Sequence, residues 1–593
     1  MNQASPHSHS FRPLTLACLT AFVLAPCAAL AQQQSSFGTA AQQPERQIQT
    51  LPGPVTSAVT AVTTLPALPA TRTLGSSSVE LTPAGFRFTG NTLVSDAELQ
   101  AVVAPLIGTR VDFDGLAAAA DALRRVYAAK GHVLTDVFLP EQAFGSAGGV
   151  VVFAVVEARL GAARVKVAAG SGVSQAYASA LVANYLRPGV ALTQTELDQP
   201  VLLLRDMAGS AAQATVVPGA RAGEADVEIT VAMNGPRVES YVSVDNMGTR
   251  STGEYRFAAG VTLFAPLGLG DVLSARVQAA DRSGNSLYRL SYGAALGPFA
   301  TKLTASYTES AYALGEQFTH LDASGKAQVA ALAALQPMLR SRFMNLFASA
   351  TLESKTLNDN LGQFGPPSAK RVALARLGLL GNHSDRSAGL FAGGTTSFSA
   401  TASAGHLRLD AQTALADIGS PAAFGPRTAD AFYKFNVELQ HIEYLSERAS
   451  VVLGFIGQAA SKNLTSAEKI SLGGPQGARG YPIGEGVGDD GLLVALEFRY
   501  LTALRLAGEP LSLTAYADHG SIRRDHVRDA TTLNQATQAN SLSLNSVGVG
   551  MLLGRESNYV VTAALATRLG GPQPNTADAD SRARLWLLMQ KWF

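Results

Sequence analysis

The residues best placed to do chemistry lie in a glycine-broken stretch, Gly473-Gly474-Pro475-Gln476-Gly477-Ala478-Arg479-Gly480-Tyr481, and in a strand-like segment downstream, Tyr516-Ala517-Asp518-His519-Gly520. An arginine and a carboxylate can form a two-pronged, charge-assisted hydrogen bond, which fixes a loop in place rather than turning over a substrate. Ser512, Thr514, Tyr516 and Asp518 share one parity of their segment, opposite Leu511, Leu513 and Ala515. A long loop folded toward that polar face would bring Arg479 to Asp518. Spacing alone also allows a surface-loop arginine and a solvated acid, a pair worth under about 1 kcal/mol.

Other chemistry finds no support. The chain has no G-x-S-x-G, no H-E-x-x-H and no P-loop. Ser466-Ala467-Glu468-Lys469 fits S-x-x-K but lacks its companion motifs, so it reads as chance. Gly484, Gly486 and Gly488 imitate a phosphate loop, yet they follow no buried parallel strand and open no helix. They read as a flexible loop. The nine histidines show no ligand spacing. No catalytic residue, cofactor or metal site is expected.

The compartment follows from the first residues. Arg12 precedes an apolar run from Leu14 to Leu24, and Ala29-Leu30-Ala31 offers a small-x-small cleavage site before Gln32. Residues 1–31 therefore read as a signal peptide. Cys18 and Cys27 leave with it, and Pro26 makes Cys27 a poor lipoprotein site. Removing Arg12 from 46 basic residues leaves 45 against 45 acidic ones, a net charge of zero, so no nucleic-acid partner is expected. No apolar run approaches the roughly 18 residues of a transmembrane helix.

Three zones follow the signal. Residues 32–78 form a Gln/Ala-rich and then proline-rich linker (Pro52, Pro54, Pro66, Pro69), which reads either as disordered or as holding a short helix around Ala40–Gln49. Residues 79–158 and 159–232 read as two copies of a β-α-α-β-β module. In the first, Phe86-Arg87-Phe88 is a strand and Ser95–Glu98 a capping box; Leu116, Ala119, Leu123 and Val126 mark a second helix closed by Gly131, and strands follow at Val133–Leu139 and Val150–Val156. The second has strands at Val165–Ala168, Ala214–Val217 and Ala225–Val231, with Thr193–Glu196 capping a helix that holds Pro200 near its first turn.

From 235 to 593 the period is two. Lys434, Asn436, Glu438 and Gln440 alternate with Tyr433, Phe435, Val437 and Leu439, and Leu493, Ala495, Glu497 and Arg499 with Leu492, Val494, Leu496 and Phe498. Strands of roughly 11 to 14 residues suit a tilted bilayer crossing. Sixteen are expected, beginning near Pro236, Glu254, Gly270, Ser286, Ala300, Gly325, Arg340, Lys370, Ser387, Asp430, Arg448, Asp489, Glu509, Ser541, Ser557 and Ser581. Connectors after even strands are short (Pro266–Leu269, Gln336–Leu339, Tyr444–Glu447). Those after odd strands can be long (Ala400–Ala429, Ser461–Gly488, His519–Asn540), and Ala404–Ala416 reads as a hairpin extended above the membrane. Trp586, Trp592 and Phe593 suit an interface girdle on the last strand.

The fold class is thus α+β periplasmic modules followed by an all-β, sixteen-stranded antiparallel transmembrane barrel. With its two paired motifs, the chain resembles the TpsB transporters of two-partner secretion, a branch of the superfamily that includes the BamA insertase. The family's Arg-Gly-[Tyr/Phe] motif corresponds to Arg479, Gly480 and Tyr481. Its aromatic-x-Asp-x-Gly partner corresponds to Tyr516, Asp518 and Gly520, with tyrosine for the usual phenylalanine. The chain departs from the family where a pore-plugging helix often stands.

The resemblance implies two POTRA modules, residence in the outer membrane, and export of one large unfolded β-helical exoprotein of adhesin or haemolysin type. It also implies contact with outer-membrane lipid and with the barrel assembly machinery, for which Trp592 and Phe593 resemble the recognition signal. An assembly factor that inserts other barrels is the alternative function. A passive porin would not need the module pair, and a displayed enzyme or adhesin would need a passenger domain.

Overall fold

The computed structural model describes residues 63–64, 80–142, 149–282, 284–360, 362, 367–385, 393–420, 423–528, 539–555, 558–570 and 581–593. The expected signal peptide and the short helix around Ala40–Gln49 lie outside the described residues.

The first module runs strand Gly85–Thr89, helices Asp96–Val103 and Phe113–Ala129, and strands Thr135–Phe138 and Val150–Glu157. Ser95 accepts a hydrogen bond from the Glu98 N–H while the Glu98 carboxylate accepts from that of Ser95, so two orphan donors are satisfied at one helix start. In the second helix Leu116, Ala119, Leu123 and Tyr127 form the buried row, with Val126 at its margin rather than within it. Phe86 and Phe88 stack on Phe153 with ring centroids 5.9 and 6.3 Å away. Strand Val150–Glu157 is central; Gly85–Thr89 lies parallel on one side and Thr135–Phe138 antiparallel on the other. Among the described residues neither edge strand has a further partner. Glu157 ends the central strand, accepting from the Thr92 and Leu93 N–H groups at 2.7 and 2.8 Å and the Tyr127 hydroxyl at 3.1 Å. Burial pushes its carboxyl up, but these donors outweigh burial and hold it below the usual range.

The second module comprises strand Arg159–Val167, helices Gln175–Tyr185 and Gln194–Arg205, and strands Ser210–Pro218 and Glu224–Met233. Its first strand begins before Val165, because Leu160 is already a core residue. Pro200 sits buried in the second turn of its helix, not near the first. Thr63–Thr64 pairs in parallel with Ala214–Thr215 at the sheet edge. Two ion pairs fasten this module to the barrel rim. Arg340 donates to both Asp206 oxygens (2.7 and 2.8 Å), and Arg342 donates to Asp198 (2.8 Å).

The barrel is closed. Its sixteen strands are Val238–Asp245, Arg256–Phe264, Val272–Ala280, Ser286–Leu296, Thr301–Ala313, Ser324–Arg340, Met344–Asn360, Ser368–Ser384, Gly394–Leu409, Asp430–Tyr444, Ala449–Ala460, Asp490–Leu506, Glu509–Arg523, Ser541–Arg555, Tyr559–Arg568 and Ala583–Trp592. Every neighbouring pair is antiparallel, and Leu588–Trp592 on the last strand closes on Tyr241–Asp245 of the first. Closure removes the exposed edges that an open sheet could not hide in lipid. Large apolar side chains such as Leu352, Leu377 and Tyr433 stand more than 60% exposed on the outer face.

Four expectations need correction. Among the described residues the ninth strand runs Gly394–Leu409, while its expected start near Ser387 lies outside them, so Ala400–Ala429 is not all loop. Ala404–Ala416 is not one hairpin limb: its second half is helix Ala411–Ile418, started by Asp410, which accepts from the Gln412 and Thr413 N–H groups, and ended at Gly419. Gln336–Leu339 is strand rather than turn; Pro337, lacking an N–H, produces a register shift, and the chain reverses over Ser341–Phe343. Strand lengths range from 8 to 17 residues, a wider spread than expected.

Candidate functional site

The connection from Ala460 to Asp490 turns into the barrel. Ile470–Ser471 pairs antiparallel with Val487–Gly488, making a hairpin whose tip carries Arg479. Ile470, Leu472, Ala478 and Tyr481 pack on Leu493, Ile522, Leu542 and Leu544 from the inner wall. The inner wall therefore carries an apolar patch beneath the hairpin. Burial of that kind contributes about 1.5–3 kcal/mol per large side chain, enough to define one resting position for the hairpin. Gly484, Gly486 and Gly488, expected to form a flexible loop, belong to its packed returning limb, and Gly488 pairs with Ile470.

At the tip, Arg479 reaches two carboxylates. Its Nε and Nη2 donate to the two oxygens of Asp518 at 3.1 and 2.7 Å, and its Nη1 donates to Glu497 at 2.6 Å. The Arg479 backbone N–H adds a bond to Asp518 at 3.0 Å, and the Ser546 hydroxyl another at 2.9 Å. Arg499 completes the group by donating to Glu497 at 2.8 Å. Two arginines face two acids, so the group is neutral, and the Asp518 side chain is fully buried. The guanidinium also lies 3.3 Å above the Tyr516 ring, within the range of a cation–π contact. A bidentate, desolvated pair of this kind is the strong form of a salt bridge.

The neighbours explain the residue types. A Cβ on Gly480 would stand 2.8 Å from the Ser546 Cβ and 3.0 Å from the Thr567 carbonyl carbon, so only glycine lets the tip approach strands fourteen and fifteen. A Cβ on Gly520 would meet Leu472 at 3.2 Å, which keeps the wall low beneath the hairpin. Tyr481 is fully buried, and its hydroxyl donates to the Gly570 carbonyl at 3.4 Å.

Three partners escape the sequence reading. Glu497 and Ser546 share the inward parity of their strands, a signal present but unused. Trp586, expected in an interface girdle, points inward instead: it is 5% exposed and its Nε1 donates to the Arg479 carbonyl at 2.7 Å. Its outward neighbours are Leu585, Leu587 and Met589, all at least 42% exposed. Trp592 lies on the closing strand opposite Tyr241, while Phe593 is 69% exposed and exchanges backbone hydrogen bonds with Ser240 (2.8 and 3.3 Å).

Comparison with known proteins places this geometry. The profile of the haemolysin secretion/activation protein family ShlB/FhaC/HecB matches residues 223–551, and that of the ShlB-type POTRA domain matches 81–158. The heme/hemopexin transporter protein HuxB of Haemophilus influenzae is 26% identical over 505 residues, 85% of each chain. The outer membrane transporter CdiB of Escherichia coli is 24% identical over 408 residues, 66% of this chain and 64% of that one. The solved structure of CdiB from Escherichia coli superposes with a TM-score of 0.66 at 20% identity, covering 95% of this chain and 99% of that one, which shows a shared fold. With a closed sixteen-stranded barrel behind POTRA modules and a family match across more than half its length, the chain belongs to the ShlB/FhaC/HecB family, the outer-membrane transporters that export exoproteins by two-partner secretion.

Proposed function

We propose that the exported partner is one large, unfolded, β-helical exoprotein of adhesin or haemolysin type. The Arg479–Asp518 pair holds the inward loop in an ordered resting position from which export must start before the loop is released in turn, so a loop lost from that position does not support export. The observation that carries this reading is the loop itself: a packed hairpin inside a closed barrel, fixed at its tip by a neutral, buried ionic group. The unpartnered edges Gly85–Thr89 and Thr135–Phe138 suit capture of an extended chain by strand addition. With no P-loop in the sequence, the work of export comes from folding of the exoprotein outside the cell. Insertion of other barrels is the weaker reading, since the family matched is the secretion branch.

The test is to co-express the chain with a candidate exoprotein of that type and measure that exoprotein in culture supernatant. Release that depends on this chain is the expected result. Exoprotein retained in the periplasm beside a folded barrel would sink the reading, and depletion of unrelated outer-membrane barrels on loss of the chain would favour the assembly role.

The chain end carries a second expectation. We infer that the assembly machinery recognises the Trp592-Phe593 end through the exposed Phe593 ring, and that the outer apolar belt meets lipid. Phe593→Ala keeps the backbone bonds to Ser240 but removes the ring. It is expected to lower outer-membrane barrel several-fold, as is deletion of Phe593. Normal levels in Phe593→Ala with a loss only on deletion would assign the role to the backbone seam instead.

A further inference from the structure

The Arg479 group holds only the tip of the hairpin, and its partners all come from one part of the wall: Glu497 on strand twelve, Tyr516 and Asp518 on thirteen, Ser546 on fourteen and Trp586 on sixteen. The root of the same hairpin is held elsewhere, by a second set of charges. Glu468 ends the short 3-10 turn Ser466–Glu468 and is fully buried. Its carboxylate lies 3.0 Å from Lys355 Nζ on strand seven and 2.7 Å from Lys434 Nζ on strand ten. Lys355 also pairs with Glu353 at 2.9 Å, and Glu353 with Arg376 on strand eight at 3.2 Å.

The charge pattern shows what this wall is built to receive. Lys355, Arg376 and Lys434 bring three positive charges, and Glu353 one negative charge. Like charges gathered on side chains that are at most 12% exposed repel strongly. Glu353 on strand seven supplies one relieving carboxylate, and the loop supplies the other, Glu468. An apolar pad reinforces the fit: Leu464, 1% exposed, packs on Val372, Leu374, Leu407 and Phe432 of strands eight, nine and ten. Gln458 on strand eleven donates to the Glu468 and Asp489 carbonyls (3.1 and 3.0 Å), tying the outgoing limb of the loop to its return.

We propose that Glu468 is a second latch on the inward loop, a positioning residue independent of Arg479, and that the pore opens fully only when root and tip are both released. The proposal rests on the reading that this loop closes the barrel. Release at the tip alone leaves Glu468 clamped between strands seven and ten and the Leu464 pad in place, so part of the lumen stays covered. Ser466-Ala467-Glu468-Lys469, dismissed as a chance enzyme motif, is then the segment that carries the latch.

The test uses the full chain in planar bilayers, where conductance reports opening without any exoprotein, alongside secretion in cells. Glu468→Gln keeps shape and removes the charge. The paired change Glu468→Gln with Lys434→Gln also removes the lysine it would orphan, so the group keeps its net charge and the barrel its means of folding. Both variants are expected to open at least tenfold more often than the parent protein while migrating as folded, heat-modifiable barrel. Added to Arg479→Ala, the paired change should multiply the open fraction by a similar factor, because among the described residues the ion pairs of the two latches involve different side chains. Parental opening frequency in both variants, or no increase beyond Arg479→Ala alone, would overturn the proposal. So would failure of even the paired variant to form a barrel, since Glu468 would then be a folding residue. Raised conductance in a chain that exports nothing even in its parental form would uphold the latch and sink the transport reading instead.

Discussion

Arg479→Ala is expected to cut secreted exoprotein per folded barrel by well over an order of magnitude, with barrel levels near normal. The substitution strands Asp518, whose side chain is fully buried, with only the Ser546 hydroxyl and one backbone N–H, and leaves Glu497 to Arg499 alone. An orphaned buried charge costs about 3–5 kcal/mol. At about 1.4 kcal/mol per decade, that shifts the loop's resting equilibrium by roughly two to three orders of magnitude. The barrel persists because its closed ladder does not pass through the tip. Asp518→Ala removes three bonds from Arg479 but leaves that guanidinium paired with Glu497, so its defect should be strong yet smaller. The double alanine variant should be no worse than Arg479→Ala, since partners in one group are not additive. Arg479→Lys keeps the charge but cannot supply two prongs to Asp518 and a third arm to Glu497, so it should fall between parent and alanine. Full export by the lysine variant, or defects of Arg479 and Asp518 that multiply, would show that the two residues do not act through each other.

Much of this fold is legible because period-two alternation is a direct image of a two-faced wall. Lys434 to Gln440 on even numbers and Tyr433 to Leu439 on odd ones can belong only to a strand with unlike faces, and such segments recur until the barrel is filled. The capping boxes at Ser95 and Thr193 are equally local, since the residues that start each helix sit within one turn of it. Where alternation passes into another structure, local reading fails. Leu407 and Leu409 continue the ninth strand, but Asp410 then offers its carboxylate to two backbone N–H groups and the chain turns helical. Pro337 signals a turn locally, yet the sheet absorbs it as a bulge because the partner strand beyond it still pairs.

The site divides in the same way. Arg479 and Asp518 are visible because loop position and strand parity are both sequence properties. Trp586 was misplaced by residue type, although its parity against Leu585, Leu587 and Met589 already pointed inward. Parity outranks type on a strand. Glu468 and its partners on strands seven, eight and ten are different: residues more than a hundred positions apart, Lys355 and Glu468, meet only because the barrel closes and the loop folds back. The rim pairs Arg340–Asp206 and Arg342–Asp198 join the end of strand six and the turn after it to a module helix and its C-cap, and no spacing rule connects them.

Deleting Glu80–Glu157 is expected to leave a folded barrel and a docked second module while reducing export to background. The first module has its own core, centred on Leu99, Leu123, Tyr127 and Phe153, and of the deleted residues Leu134 packs on the second core from its margin. The cut must stop before Arg159, because Leu160 is 1% exposed inside the second module and its loss would leave a cavity there. Docking survives, since the arginine pairs at the rim engage only Asp198 and Asp206. Among backbone hydrogen bonds between the modules, Gln194 N–H to the Gly131 carbonyl at 2.8 Å is lost, at a net cost of about 1 kcal/mol, too little to unfold a helix whose capping box remains. What disappears is the pair of open sheet edges, Gly85–Thr89 and Thr135–Phe138, on which an extended chain could add. Heat-modifiable migration on a semi-native gel measures the barrel, and culture supernatant measures the exoprotein. Export at the parental level by the shortened chain would show that capture does not use the first module, and would move that role to the second module or to the barrel mouth.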